Sequence, residues 1–195
     1  MEETDKLEII EDCIRGWNNT INLVSRGDLP HMRARHIDDS AAAARVIPHG
    51  ASVIDIGSGA GLPGLVLAAL RPDISVTSIE SDSRKCIVQQ DIIRRASLSN
   101  ARVMNGRAES LAESESLKAQ ADCATVRALG KIALCLEYAA PLLKPGGRLI
   151  LFKSHASVDA ELAAARAKGW NFDCKIEKIH KTTLVILENM SYTDS

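Results

Sequence analysis

The chain has 195 residues, 46% of them hydrophobic and 25% charged, with a formal net charge of −1, a length that fits one domain burying roughly two-thirds of its unfolded surface. No apolar run reaches the length of a membrane span and the acidic N-terminus is unlike a secretory signal, so a soluble cytoplasmic protein is expected, and a monomer is the default for so compact a chain. Five cysteines (Cys13, Cys86, Cys123, Cys135, Cys174) are odd in number and contain no C-x-x-C pair, which argues against zinc, any other metal centre and a disulfide framework.

Residues 1–12 hold six acids and one base, a local −5 that leaves +4 on the remainder. That surplus is too small to claim nucleic-acid binding from charge alone. Leu7, Ile10, Ile14, Trp17 and Ile21 recur at three- and four-residue steps, which predicts an amphipathic helix over 4–22. Asn18, Asn19 and Asn22 compete with helical backbone bonding and suit a helix end or turn. A second helix is predicted from about Leu29 to Val46, ended by Pro48 and Gly50. Arg33, Arg35, His36, Asp38 and Asp39 make it too charged for a core segment. A solvated face is the ordinary explanation, with Asp39 exposed, and a surface facing a site the sharper one. Residues 1–47 are thus an N-terminal helical segment ahead of a core over 51–190.

Val53, Ile54 and Ile56 are β-branched, as in a strand buried on both faces of a parallel sheet. Gly57, Gly59 and Gly61 follow at alternate positions, then an apolar, helix-compatible run from Leu65 to Leu70. Strand, glycine turn and helix in that order bring backbone N–H groups and a helix start beside a ligand. A Cβ would block both the tight turn and the ligand's approach.

Ile74 to Ile79 predicts a second strand tipped by Glu80, where a carboxylate accepts hydrogen bonds from ribose hydroxyls. Ser81 to Ala96 reads as a helix with Ile87, Ile92 and Ile93 inward. Val103-Met104 is a short third strand, and Gly106-Arg107-Ala108-Glu109 the loop after it, placed to read an adenine edge. Ala121 to Val126 is the fourth strand. Arg127 lies at its carboxyl end and points into the cleft that parallel strands leave there. Ile132 to Leu143 is a helix, followed by a Pro145-Gly146-Gly147 turn and a fifth strand closed by Lys153. Val158 to Lys168 is a helix with Gly169 as its C′ residue. Phe172 to Ile179 and Thr183 to Leu187 form a terminal hairpin, with Asn189 to Ser195 as a frayed tail.

Two cofactors compete for the glycine corner. Gly59, Gly61 and Gly64 satisfy G-x-G-x-x-G, so an NAD-dependent oxidoreductase is open. Asp55, two residues before the first glycine, favours S-adenosylmethionine: its carboxylate is placed to meet an ammonium and would repel a pyrophosphate. Leu142-Leu143-Lys144-Pro145-Gly146-Gly147 leading into Arg148–Phe152 is similar to the fifth strand of Rossmann-like methyltransferases.

With these residues placed, the chain resembles the bacterial small-subunit ribosomal RNA methyltransferase G family, also called glucose-inhibited division protein B. The resemblance rests on Trp17-Asn18-x-x-Ile21-Asn22-Leu23, Arg35-His36-Ile37-x-Asp39-Ser40, Asp55-x-Gly57-x-Gly59-x-Gly61-Leu62-Pro63-Gly64, Arg127-Ala128 and Phe152-Lys153. It implies a Rossmann-like class I S-adenosylmethionine-dependent methyltransferase of α/β class: a mostly parallel seven-stranded sheet with a C-terminal antiparallel hairpin and N-terminal helices. It also implies methylation of N7 of one guanine, guanine 527, in the 16S RNA of the small ribosomal subunit. By motif position Gly57, Leu62, Ala108, Glu109 and Arg127 contact the cofactor, beside Asp55, Gly59, Gly61 and Glu80 from the corner itself. Arg33, Arg35, His36, Arg127 and Lys153 are the candidate contacts to RNA phosphates. A small-molecule methyltransferase is the nearest rival, disfavoured by only two Trp, two Tyr and two Phe to line an apolar pocket. A non-catalytic RNA-binding module is a further one.

Overall fold

The computed structural model describes residues 2–114, 116–179 and 182–193. Strands β1 (Ser52–Ile56), β2 (Ser75–Glu80), β3 (Ala101–Asn105), β4 (Ala121–Arg127), β5 (Leu143–Lys153), β6 (Trp170–Ile179) and β7 (Thr182–Tyr192) form one sheet in the order β3-β2-β1-β4-β5-β7-β6. The first five strands run parallel, and β7 enters antiparallel between β5 and β6. The chain winds outward from β1 to β3, then returns to place β4 on the other side of β1. This reversal opens a crevice at the carboxyl ends of β1 and β4, where ligands bind in open α/β sheets.

The helices are α1 (Glu3–Trp17), α2 (Asp38–Ala41), α3 (Gly64–Leu70), α4 (Ser83–Arg95), α5 (Ala108–Ala112), α6 (Ile132–Ala139) and α7 (Val158–Ala167). Strand alternation divides the core between the two faces of the sheet. Val53 packs with Leu7, Ile10 and Ile14 of α1, Leu65 and Leu67 of α3, and Val88 and Ile92 of α4. Ile54 and Ile56 pack on the other side with Ile132 and Leu136 of α6 and Leu162 of α7. Both faces are covered, which is why β1 is apolar at nearly every position. Past Ser52 at its start, the buried Asp55 is the exception.

Several local expectations are revised. The helix over 4–22 stops at Trp17; Asn18 Oδ1 accepts from the backbone N–H of Leu23 and Val24, each at 2.9 Å, and draws the chain into a turn. Residues 29–46 are not one helix but short 3₁₀, π-helical (Arg33–Ile37), α and 3₁₀ turns in succession. Asp39 is buried rather than exposed, accepting from the Thr182 hydroxyl. Ile87 is 56% exposed, whereas Ile92 is buried; the inward stripe of α4 runs Cys86–Gln89–Ile92, one residue out of phase with Ile87. Ala108 and Glu109 already belong to α5. The Pro-Gly-Gly segment lies within β5 as a bulge, because Ala121 pairs with Leu143 while Cys123 pairs with Arg148. Asn189 to Tyr192 is strand rather than tail: Trp170 pairs with Tyr192, their rings 5.1 Å apart.

Candidate active site

The turn after β1 is held by its own backbone. Gly57 N and Ser58 N both donate to Ile79 O of β2, at 2.9 and 3.1 Å, and Gly61 N and Leu62 N both donate to Ser58 O. Gly57, Gly59 and Gly61 have φ of +67°, +56° and +87°, the left-handed region that glycine enters without strain. A Cβ on Gly57 would stand 2.8 Å from Leu129 Cδ1, whereas one on Gly59 would meet only Gly57 O, at 3.9 Å. The space over Gly59 is open. Glu80 Oε2 accepts from Gly59 N at 2.8 Å, and its Oε1 accepts from Asp82 N at 2.8 Å. A carboxylate has about four acceptor positions, so Glu80 can brace the turn and still accept from a ribose.

Asp55 behaves differently from the expectation that it meets an ammonium. Its side chain is fully buried, with Oδ2 accepting from Gly64 N at 3.0 Å and Oδ1 from the Thr125 hydroxyl at 2.8 Å. Burial pushes its pKa up to about 6, against the lowering effect of those two hydrogen bonds and of Arg127. The carboxylate ties the end of β1 to the start of α3 and to β4. It organises the corner from beneath.

Two clefts meet at Gly57. One is lined by Gly57, Ser81, Gly106, Arg107, Ala108, Glu109 and Tyr138, where the tips of β1, β2 and β3 converge. Here the Glu109 carboxylate beside the Tyr138 hydroxyl raises the phenol's pKa. Ala108 and Glu109 both line this cleft. The second cleft lies on the β4 side and is lined by Leu23, Val24, His36, Gly57, Ser58, Gly59, Ala60, Leu62, Arg127 and Ala128. Ala128 has φ +56° although it carries a Cβ, a local strain of the kind that collects at ligand sites. A glycine turn in the left-handed region, with open space over Gly59 and a cleft on either side, fits an elongated ligand with a nucleoside at one end.

Arg127 links this second cleft to the N-terminal segment. Its terminal nitrogens donate to Arg35 O at 2.7 Å, His36 O at 3.2 Å, Ser40 Oγ at 3.2 Å and His36 Nδ1 at 3.0 Å. The guanidinium also lies 6.0 Å from the Phe152 ring centroid. Both carbonyls lie in the π-helical turn, and the His36 carbonyl also accepts from the Ser40 hydroxyl at 2.5 Å. Burial and the adjacent Arg127 hold His36 below the usual imidazole range, so it is neutral near pH 7.

These contacts revise the phosphate-binding set. Arg127 is committed to acceptors inside the protein, and His36 is a neutral, largely buried acceptor. Lys153 donates to Gly130 O and to Glu161 Oε2 (2.7 Å), with only 11% of its side chain exposed. Arg33 and Arg35 remain at the surface, paired with Asp38 (3.3 Å) and Asp28 (2.7 Å).

Leu129, Tyr138 and Val24 line these clefts and Gln89 braces the glycine turn although no motif marked them, and Leu23, which closes the Trp17–Leu23 motif, lines the second cleft beside Val24. Gln89 Nε2 donates to Ser58 Oγ at 2.7 Å and Gly59 O at 2.9 Å. An amide on the inward stripe of α4, three residues from Cys86 and from Ile92, is the one sequence signal that singles it out. Leu129 and Tyr138 look like any core residues until the loop after β4 is folded.

The sequence matches the family model described as rRNA small subunit methyltransferase G over residues 3–188. Among curated relatives, the "Ribosomal RNA small subunit methyltransferase G" of Acidiphilium cryptum is 44% identical over 84% of this chain and 73% of its own length. The protein of the same name from Thermobifida fusca is 41% identical over 74% of this chain, a stretch spanning 59% of that relative. A solved SAM-dependent methyltransferase from Aquifex aeolicus has the same fold, with TM-score 0.62 at 16% identity, covering 82% of this chain and 92% of that one.

Proposed function

Because the chain belongs to the rRNA small subunit methyltransferase G family, we propose that it transfers a methyl group from S-adenosylmethionine to N7 of one guanine in 16S RNA, guanine 527. When bound, the cofactor supplies an electrophilic methyl on a positively charged sulfur. Gly57, Gly59, Leu62, Glu80, Ala108 and Glu109 are the residues of this chain that would hold it.

The observation that carries the reading is the chemistry of the second cleft. Among the described residues lining it there is no carboxylate, and the one imidazole has Nδ1 engaged by Arg127 and Nε2 buried. An acceptor that must lose a proton, such as a hydroxyl or an exocyclic amine, finds no general base here. Guanine N7 has a lone pair and no proton. It can form its bond to carbon as the carbon–sulfur pair returns to sulfur, with no proton to remove.

Positive charge then moves onto the imidazole ring of the base. A cation turned toward N7 would raise the barrier, and the Arg127 donors are turned instead to four acceptors inside the chain. What the chain contributes is position. Holding donor and acceptor in line is worth up to roughly 7–11 kcal/mol in favourable cases.

The test is transfer of a labelled methyl group to 16S RNA and to the isolated small subunit, with the modified nucleotide mapped. A single 7-methylguanine at 527 is expected. Label on another atom or nucleotide overturns the assignment, and calorimetric uptake of a dinucleotide with no heat from S-adenosylmethionine overturns the cofactor.

A further inference from the structure

Asn18 caps the C-terminal end of α1 just before a tight turn, and its side chain does one thing that a helix end does not require. Oδ1 reaches five and six residues ahead to accept from Leu23 N and Val24 N, both at 2.9 Å. Trp17 fixes the same corner from behind, donating from Nε1 to Asp91 Oδ2 of α4 at 3.0 Å. The backbone at Leu23 and Val24 is thus pinned at both N–H groups, and the two side chains line the cleft beside Arg127 and Ala128. Leu23 remains partly exposed there, with apolar surface left for a ligand.

The walls of this cleft are aliphatic: Leu23, Val24, Ala60 and Leu62. Its one charged side chain is Arg127, whose donors already have partners. A small apolar cleft with neutral polar groups suits a flat, uncharged heterocycle better than a cation, a phosphate or a long chain. It adjoins the cofactor turn at Gly57, and so lies within reach of the atom to be modified.

We propose that the turn pinned by Asn18 is the acceptor-base subsite: Leu23 and Val24 pack against the face of the guanine presented for methylation. This rests on the methyl-transfer reading above and assigns these residues to the substrate rather than to the cofactor. They are positioning and specificity residues and take no part in bond making. The preformed wall spares the enzyme the ordering cost of closing a loop on an extruded base.

Two measurements test it. In the first, methyl NMR on the full chain follows Leu23 and Val24 during titration with guanosine monophosphate in the presence of S-adenosylhomocysteine. Ring-current shifts at these two residues, with the Val185 and Leu187 methyls unmoved, are expected; shifts confined to other residues overturn the subsite. In the second, Leu23→Ala is expected to lower kcat/KM for small-subunit RNA about tenfold or more, with the cofactor dissociation constant unchanged. Asn18→Ala should do the same, and Asn18→Asp, which keeps an acceptor for both N–H groups, should restore most of the loss. Unchanged kcat/KM in both Leu23→Ala and Asn18→Ala overturns the proposal. Should the unaltered enzyme methylate no RNA, the reading beneath the proposal falls, and the nucleotide titration still judges the cleft by itself.

Discussion

Arg127 and His36, 91 positions apart, meet nitrogen to nitrogen at 3.0 Å, with the guanidinium donating to the Nδ1 lone pair. The contact requires the imidazole to be neutral with its proton on Nε2, since a protonated ring would present a second cation to the first. Nε2 is buried and 3.9 Å from Asp28 Oδ2. This pair fastens the Arg33–Ile37 turn to the end of β4. Much of the site's shape follows from it.

Arg127→Ala therefore leaves the Arg35 carbonyl and the His36 ring without their donor, while the Ser40 hydroxyl still donates to the His36 carbonyl. A loss of about 1–3 kcal/mol is expected, as for a buried acceptor, here His36 Nδ1, left unpaired. Arg127→Lys should recover little, because one ammonium cannot reach acceptors on three residues. Denaturant melts give the magnitude. Hydrogen exchange should show the increase centred on residues 35–40, and uniform exchange across the sheet would contradict the latch.

Protonation of His36 is disfavoured in the folded state by burial and Arg127, outweighing Asp28 and Asp39. The unfolded chain binds the proton more readily, so folding stability falls as pH drops below about 6.5. Nitrogen-15 NMR should find the Nε2–H tautomer and an acid-shifted titration for His36. Its replacement by Asn, which retains an acceptor near the Nδ1 position, should remove this acid-side loss of stability.

Asp55 contributes with the opposite sign. Its folded pKa, raised from 3.8 to about 6, means that the native state holds its proton more tightly. Its contribution is thus most favourable at low pH and declines as pH rises from about 4 to about 6. At 1.36 kcal/mol per pKa unit the change is roughly 3 kcal/mol. Asp55→Asn should flatten that part of the stability profile, measured by urea unfolding at each pH.

The glycines separate binding from folding. A Cβ at Gly64 would lie 2.8 Å from Asp55 Oδ2 and 2.9 Å from Asp55 Cβ, so Gly64→Ala should destabilise the protein by several kcal/mol. Gly59→Ala faces open space and only the strain of φ +56°, a cost of about 1 kcal/mol. Its melting should change little while cofactor affinity, read by calorimetry, drops strongly.

Lys153→Ala tests the revised phosphate set. The Lys153 ammonium is held by Gly130 O and Glu161, and Glu161 Oε2 also accepts from Ile132 N at the start of α6. Removing it should cost about 1–3 kcal/mol of stability by leaving the Glu161 charge without its partner. The slope of RNA affinity against salt should be unchanged, whereas Arg33→Ala should flatten it by about one contact.

The succession of strands along the chain and the glycine corner were legible in the sequence because each is a local matter. β-branched runs, positive-φ glycines and alternating apolar residues state their conformation within a few neighbours. The residues 29–46 resisted such reading: their irregular turns are stabilised by Arg127 and Arg71, from strand and loop far along the sequence, and no periodicity records that.

What the sequence by itself determined was the corner, its strand and helix, and the family to which they belong. What only the tertiary structure decided was where each charge goes. Asp55, Arg127, His36 and Lys153 all sit at motif positions that suggest contact with a ligand, yet folding turns each toward a partner within the chain. The physical reason is burial: a polar group removed from water must find a partner, and which one it finds depends on contacts tens of residues away.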